Sequence, residues 1–245
     1  MKTAYFWLTP QGKQLAEQLQ AHFGGTVEPK ADFAEAVRRA FADCDALVFV
    51  MAAGIVVRTI APLVQSKASD PAVLVLDQRG KHVISLLSGH LGGANAMAEQ
   101  AAAYLGGEAV ITTATDVEHV PAFDLFAKEN HLTIENLEEL KYISGALVAG
   151  EPVSLCTAFP VEKNAFPETV QLQSFSETPR HACAVAIADT TESVAAPHVL
   201  YLRPKSLVLG VGCKKQILPA HLEQCFLTFL QEHHLSLSAV EKLAT

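Results

Sequence analysis

The spacing of apolar positions changes period repeatedly along the chain. Short apolar or alternating runs read as strands at 3–8 (TAYFWL), 46–51, 72–76 (AVLVL), 82–87 (HVISLL) and 109–112, because such runs bounded by turn residues fit buried or half-buried strands. Between them, apolar residues recurring every three or four positions predict helices over 10–22, opened by Pro10, and over 32–42, 54–65 and 89–105. This βα alternation favours a parallel or mixed sheet with helices on both faces. AVLVL and HVISLL are joined only by DQRGK, which predicts one antiparallel hairpin in an otherwise parallel sheet.

Beyond about residue 120 the units shorten. Helices are predicted at 121–129 and 136–148, with strands near 152–156, 168–172, 182–188 and 198–202, punctuated by Pro160, Pro167, Pro179 and Pro197. YLRPKS, 201–206, reads as a linker. LVLGVGCKK, 207–215, reads as a strand ending in glycines, followed by helices over 217–233 and near 236–243. One strand and two helices bury little apolar surface alone, so this piece packs on the preceding module or, the favoured reading, opens a domain that the chain does not complete. The expected organisation is an α/β N-terminal domain over 1–120 with a parallel or mixed sheet flanked by helices, a smaller central α/β module over 121–203, and the beginning of a further α/β domain over 204–245.

Composition narrows the function classes. Half of the 245 residues are apolar and 18% are charged, which supports a packed core and excludes disorder throughout. The 26 acidic and 18 basic residues give a net charge of -8, which argues against nonspecific binding to nucleic acid or an anionic membrane. Any anion must be captured locally. Residues 46–64 approach membrane-spanning length, but Arg58, Gly54 and Pro62 interrupt them, as expected of a buried strand running into a helix. Five scattered cysteines without a CxxC pair, and a start too short in apolar residues for a signal peptide, fit a soluble cytoplasmic protein.

The segment SGHLGGANAMAEQAAAYLGG, 88–107, is the richest in chemistry. Ser88 is positioned to cap the helix, and Gly89, Gly92 and Gly93 keep its first turn bare, leaving N–H groups and the positive dipole end open to an anion. His90 in that turn and Asn95 about one turn later can face the same ligand. The alternative is that the glycines permit close packing on the sheet and His90 bonds a neighbouring loop. ITTATD, 111–116, supplies Thr112, Thr113 and Thr115 as donors and Asp116 as a general base or as a partner orienting His90. Helix capping is the alternative there.

Gly54 opens a second helix start, with Arg58 one turn along it suited to carboxylates; pairing with Asp70 or Asp77 is its bland alternative. Lys67, in KASDP, adds to a local excess of Arg58, Lys67, Arg79 and Lys81 over Asp70 and Asp77. GVGC, 210–213, lacks the third glycine of a dinucleotide fingerprint, so a nicotinamide cofactor is poorly supported. Cys213, beside Lys214 and Lys215, fits a small apolar role better than a nucleophile. There is no GxSxG elbow, phosphate-binding P-loop or HExxH motif, and adjacent His233 and His234 make a poor metal pair.

Read in order, AAGIVVRTIAP, KASDPAVLVLD, LLSGHLGGANAMA, ITTATD and LVLGVGCKK closely resemble the CbiG family, the cobalt-precorrin-5A hydrolases of anaerobic cobalamin synthesis. The resemblance is dense over 45–120, loose over 120–200, and resumes at 207. It implies a cytosolic enzyme that opens the δ-lactone of cobalt-precorrin-5A and releases a two-carbon fragment as acetaldehyde, giving cobalt-precorrin-5B. The substrate is then a corrinoid polycarboxylate that carries its own cobalt, with no cofactor or resident metal, and neighbouring cobalamin-pathway enzymes are expected partners. Members of the family usually carry a further C-terminal domain of roughly one hundred residues or more, whereas about forty follow Lys205 here.

Under this reading, Arg58, Lys67 and the N–H groups near Gly92 and Gly93 hold rim carboxylates, with Ser88, Gly89 and Asn95 completing the cradle. His90 or Asp116 activates water, and Thr112, Thr113 and Thr115 stabilise the oxyanion. The rival reading is a noncatalytic corrinoid handover protein, and a weaker third is a nucleotide-binding α/β domain.

Overall fold

Apolar runs in the N-terminal half alternate with amphipathic helices, and the chain folds accordingly in the computed structural model, which describes residues 1–67, 69–162, 166–213 and 217–244. Two units separate, Met1–Val117 and Glu118–Thr245. The first contains β1 (Thr3–Trp7), α1 (Pro10–Phe23), β2 (Thr26–Val27), α2 (Phe33–Asp43), β3 (Ala46–Val50), α3 (Ala53–Ile60), β4 (Ala72–Leu76), β5 (His82–Leu87), α4 (Ala94–Leu105), β6 (Glu108–Val110) and α5 (Ala114–Val117).

Its sheet has the order β2-β1-β3-β4-β5-β6. Strands β1 to β4 are mutually parallel, and β5 runs antiparallel to β4 with β6 parallel to β5. The expected hairpin is present. Its consequence is directional: the turns after β5 and β6 emerge at the edge where β1, β3 and β4 begin.

Strand alternation sorts the core into two layers. Tyr5, Val48, Val50, Leu74 and Leu76 pack against Leu15 and Leu19 of α1 and Ala94, Ala98 and Ala101 of α4. Ala4, Phe6, Leu47, Phe49, Val73 and Val75 pack against Ala36 and Val37 of α2 and Val56 and Ile60 of α3. A sheet covered on both faces needs strands apolar on both faces, which is why 46–50 and 72–76 read as unbroken apolar runs. Helix α1 starts where its sequence says it should, with Thr9 Oγ1 accepting from Gly12 N–H at 3.0 Å ahead of Pro10. Among the described residues no helix is long and apolar enough to cross a membrane.

The second unit contains α6 (Phe123–Glu129), β7 (Thr133–Ile134), a 3₁₀ turn (Leu137–Glu139), α7 (Leu140–Val148), β8 (Val153–Thr157), β9 (Val170–Ser174), β10 (Cys183–Ile187), β11 (His198–Arg203), β12 (Leu207–Gly210), α8 (Pro219–Glu232), a second 3₁₀ turn (Leu237–Ala239) and β13 (Val240–Ala244). Its larger sheet, ordered β7-β11-β10-β8-β9, is parallel except for β7. Phe123, Leu140, Ile143 and Leu147 cover one face through Leu155, Val185, Leu200 and Leu202.

Two sequence expectations change here. Residues 201–203 are the end of β11 rather than linker. The segment near 236–243 forms a 3₁₀ turn and β13, which pairs in parallel with β12; hydrogen bonding to a distant strand overrides its local helical spacing. The C-terminal segment is also tied to the larger sheet of its own unit. Buried Arg203 donates to Glu135 Oε2 through Nε at 2.8 Å and to the carbonyls of Ala188 and Thr190 through Nη1, while Ser236 Oγ donates to Glu135 Oε1 at 2.8 Å.

Candidate functional site

The chain leaves β5 through a bulge: Leu74 faces Ser85, whereas Val73 faces Leu87, so one residue is extra and the strand end is re-aimed. It then turns sharply at Ser88, whose φ is +58°. Ser88 Oγ donates to the Asp70 carbonyl at 2.9 Å, fastening this turn to the loop that precedes β4. Residues 88–93 form a tight loop, and α4 begins only at Ala94. Ser88 therefore does not cap α4 with its side chain. The cap position falls to Gly93, at φ +88°.

The glycines are required by close approach. A Cβ on Gly89 would lie 2.7 Å from Asn95 Oδ1, and one on Gly92 would lie 2.4 Å from Ser88 Cβ and 2.7 Å from its carbonyl oxygen. The same tightness closes the expected anion seat. The N–H groups of Gly93, Ala94 and Asn95 donate to the carbonyls of His90, Ser88 and Gly89 at 3.0, 3.1 and 3.0 Å, so the loop itself takes the donors that an anion would have used.

What the loop builds instead is a side-chain network. Asn95 is 6% exposed; its Oδ1 accepts from Ser85 Oγ at 2.6 Å, and its Nδ2 donates to Thr113 Oγ1 and Asp116 Oδ2, each at 3.1 Å. His90 Nε2 lies 2.7 Å from Asp116 Oδ2, with Thr115 Oγ1 at 3.4 Å from the same nitrogen. The His90 side chain is 11% exposed and that of Asp116 35%. Two largely buried groups thus fix one oxygen of a half-exposed carboxylate. Its other oxygen, Oδ1, accepts no hydrogen bond among the described residues. Against an ionised Asp116, Nε2 of His90 carries the proton. The assembly presents an oriented imidazole–carboxylate pair with hydroxyls beside it, the grouping that general acid–base chemistry requires.

His90, Asn95, Thr113, Thr115 and Asp116 are therefore brought together, and Ser88, Gly89, Gly92 and Gly93 shape the loop that holds them. Thr112 is exposed beside them and outside the network. Lys67 is exposed in the loop preceding β4, on the same edge. Arg58 is not in this group. Helix α3 starts at the opposite edge, where β3 ends, and the guanidinium folds back over Gly54, with Nη2 3.6 Å from the position of a Cβ there. A single cradle built from the turns after β3 and β5 is excluded by the hairpin, which sends β5 back toward the start of β4. Neither expected acidic partner engages Arg58: the Asp70 carboxylate accepts from the N–H groups of Gln65 and Ser66, and that of Asp77 from those of Arg79 and His82.

Ser85 went unnoticed in the sequence. Its signal was there: a lone hydroxyl on the strand face that carries Val83 into the core. Elsewhere, burial pushes the Cys44, Cys156 and Cys183 thiols up, away from nucleophile chemistry. Lys214 and Lys215, weighed as neighbours of Cys213, lie outside the described residues. No group of three or more His, Cys, Asp or Glu side chains that could hold a metal ion occurs among the described residues.

Comparison with known proteins agrees with the earlier resemblance. Residues 35–116 match the family profile "Cobalamin synthesis G N-terminal", and residues 121–204 match "Cobalamin biosynthesis central region". The chain is 37% identical over 232 residues to a cobalt-precorrin-5A hydrolase of Salmonella typhimurium, covering 86% of this chain and 66% of that protein. It is 34% identical over 213 residues to a cobalt-precorrin-5A hydrolase of Priestia megaterium, covering 81% and 56%. Against these two relatives the chain thus spans between 56% and 66% of the relative's length. A crystal structure of a cobalamin biosynthesis protein G homologue from Sulfolobus solfataricus shares the fold, with a TM-score of 0.50 at 23% identity, over 99% of this chain and 73% of that one. The His90–Asp116 network lies wholly within the first matched region, and with both regions present in order the chain belongs to the CbiG family of cobalamin biosynthesis proteins.

Proposed function

We propose that this chain hydrolyses cobalt-precorrin-5A, the substrate named for its relatives, at the edge that carries His90 and Asp116. The observation that carries the reading is the 2.7 Å contact between His90 Nε2 and Asp116 Oδ2, braced by buried Asn95. Water held at this pair loses a proton to it and attacks the δ-lactone carbonyl. Hydroxyls of Thr113 and Thr115 serve as donors to the developing oxyanion. Breaking the ring C–O bond leaves a carboxylate and an alcohol. Deprotonation of that alcohol then drives C–C cleavage: the alcohol carbon leaves as acetaldehyde, and the bonding pair stays on the macrocycle. Exposed Lys67 on the same edge attracts a rim carboxylate, and the cobalt enters as part of the substrate. Five unpaired cysteines support a reducing cytoplasm as the setting.

The test is acetaldehyde release from cobalt-precorrin-5A by the purified chain. His90→Ala and Asp116→Asn are each expected to lower release at least 100-fold, the scale of a lost general acid or base, while corrinoid binding persists. Wild-type turnover that survives both substitutions removes this pair from the chemistry. Tight corrinoid binding by the wild-type chain without any aldehyde supports a handover role instead.

A further inference from the structure

The opposite edge of the first sheet holds a cavity of about 470 Å³, lined by residues that follow three parallel strands: Leu8 and Thr9 after β1, Met51 to Ala53 after β3, and Asp77 and Gln78 after β4. In the strand order β2-β1-β3-β4, the chain leaves β1 to one side for β2 and returns to its other side for β3. The cavity thus opens at the carboxyl ends of strands where the winding reverses, which is where open α/β sheets bind ligands. Its volume lies within the range of small-molecule sites. The His90 network belongs to the other edge and uses none of these residues.

The walls set the chemistry of an occupant. Val50, Met51, Ala53, Ile55, Val75 and Ile84 make an apolar body. Two exposed cations border the side formed by β1 and β3: Lys30 Nζ donates to the Leu8 carbonyl at 2.9 Å, and the Arg58 guanidinium lies over Gly54, between the lining residues Ala53 and Ile55. Helices α1 and α3 both begin here, so their positive dipole ends add to that side. On the β4–β5 side the lining acid is Asp77, whose carboxyl is desolvated yet held below the ordinary range by N–H bonds from His82 and Arg79, so the lining there repels an anion. An anionic head is thus directed toward Arg58 and Lys30.

We propose that this cleft is a second ligand site, taking a small organic acid with an apolar body in the cavity and one carboxylate at the Arg58–Lys30 rim. The proposal goes beyond hydrolysis at the His90 edge and does not rest on it. The probe is 1-naphthylacetate, followed by amide chemical shifts of the full chain, with 1-naphthylacetamide as its uncharged counterpart. Saturable shifts are expected at Thr9, Ala52, Ala53, Gln78 and His82, with the amide binding more weakly. Ala53→Phe fills the cavity and abolishes them. Arg58→Ala and Lys30→Ala, both at exposed positions that leave the fold intact, each weaken the acid about two- to fivefold and leave the amide unaffected. His90→Ala retains the shifts, which separates failure here from failure of the hydrolase assignment. Equal affinity for acid and amide, shifts centred on Ser88 to Gly93 or on the second unit, or no saturable shift at all would each overturn the proposal.

Discussion

Asn95 is the residue on which the candidate site turns. Its amide joins strand β5, the loop after β6 and Asp116 through three hydrogen bonds, and only a side chain with both an acceptor and a donor does this. Asn95→Ala leaves Ser85, Thr113 and Asp116 short of partners in a buried position and is expected to cost about 1–3 kcal/mol, measured by urea denaturation. Asn95→Asp is the sharper probe. It sets a carboxylate 3.1 Å from Asp116 Oδ2, where the wild-type amide donates, and two adjacent carboxylates resist joint ionisation. The acid limb of the pH–rate profile is expected to move up by about one unit or more. An unmoved limb would show that ionisation of Asp116 does not control turnover.

At the scale of elements, the Glu135–Arg203 pair fastens β7, β11 and the segment leading to β13. Burial would raise the Glu135 carboxyl, yet the bonds from Arg203 and Ser236 hold it below its usual range. A depressed native value means that the carboxylate's contribution is fully present above the unfolded value of about 4.3 and is lost as pH falls through the folded value. Glu135→Gln is expected to lower stability at pH 7 by about 1–3 kcal/mol, with the difference from wild type shrinking below pH 4, read from denaturation midpoints across pH 3 to 7. A difference that stays constant with pH would mean that the charge itself contributes nothing. This pair was invisible in the sequence, since Glu135 and Arg203 are joined only by folding. Elements whose pattern is local were legible: α1 through Pro10, and the β4–β5 hairpin through its short polar turn. Those set by distant partners were not. β13 exists because β12 pairs with it, and the start of α4 shifts to Ala94 because the carbonyls of Ser88 and Gly89 capture its first N–H groups.

For the whole molecule, the hairpin decides which cations serve which chemistry. Sequence proximity put Arg58 and Lys67 together, but β5 reverses direction, so the His90 edge keeps Lys67 and the opposite edge keeps Arg58. The residues of the candidate site were therefore legible as chemistry, while their grouping was not, because grouping depends on strand direction. With a net charge of -8, the chain repels a polycarboxylate at long range, and capture depends on local cations within a Debye length of about 8 Å at physiological ionic strength. Lys67→Glu reverses one such charge at the His90 edge. An exposed charge contact contributes up to about 1 kcal/mol, so reversal is expected to lower kcat/KM for cobalt-precorrin-5A roughly three- to tenfold at low salt, chiefly through KM. Raising ionic strength should erase much of that gap, because screening weakens exposed pairs while leaving the buried Asn95 network intact. A salt-independent loss, or a loss confined to kcat, would show that Lys67 acts by contact with the reacting groups rather than by attraction.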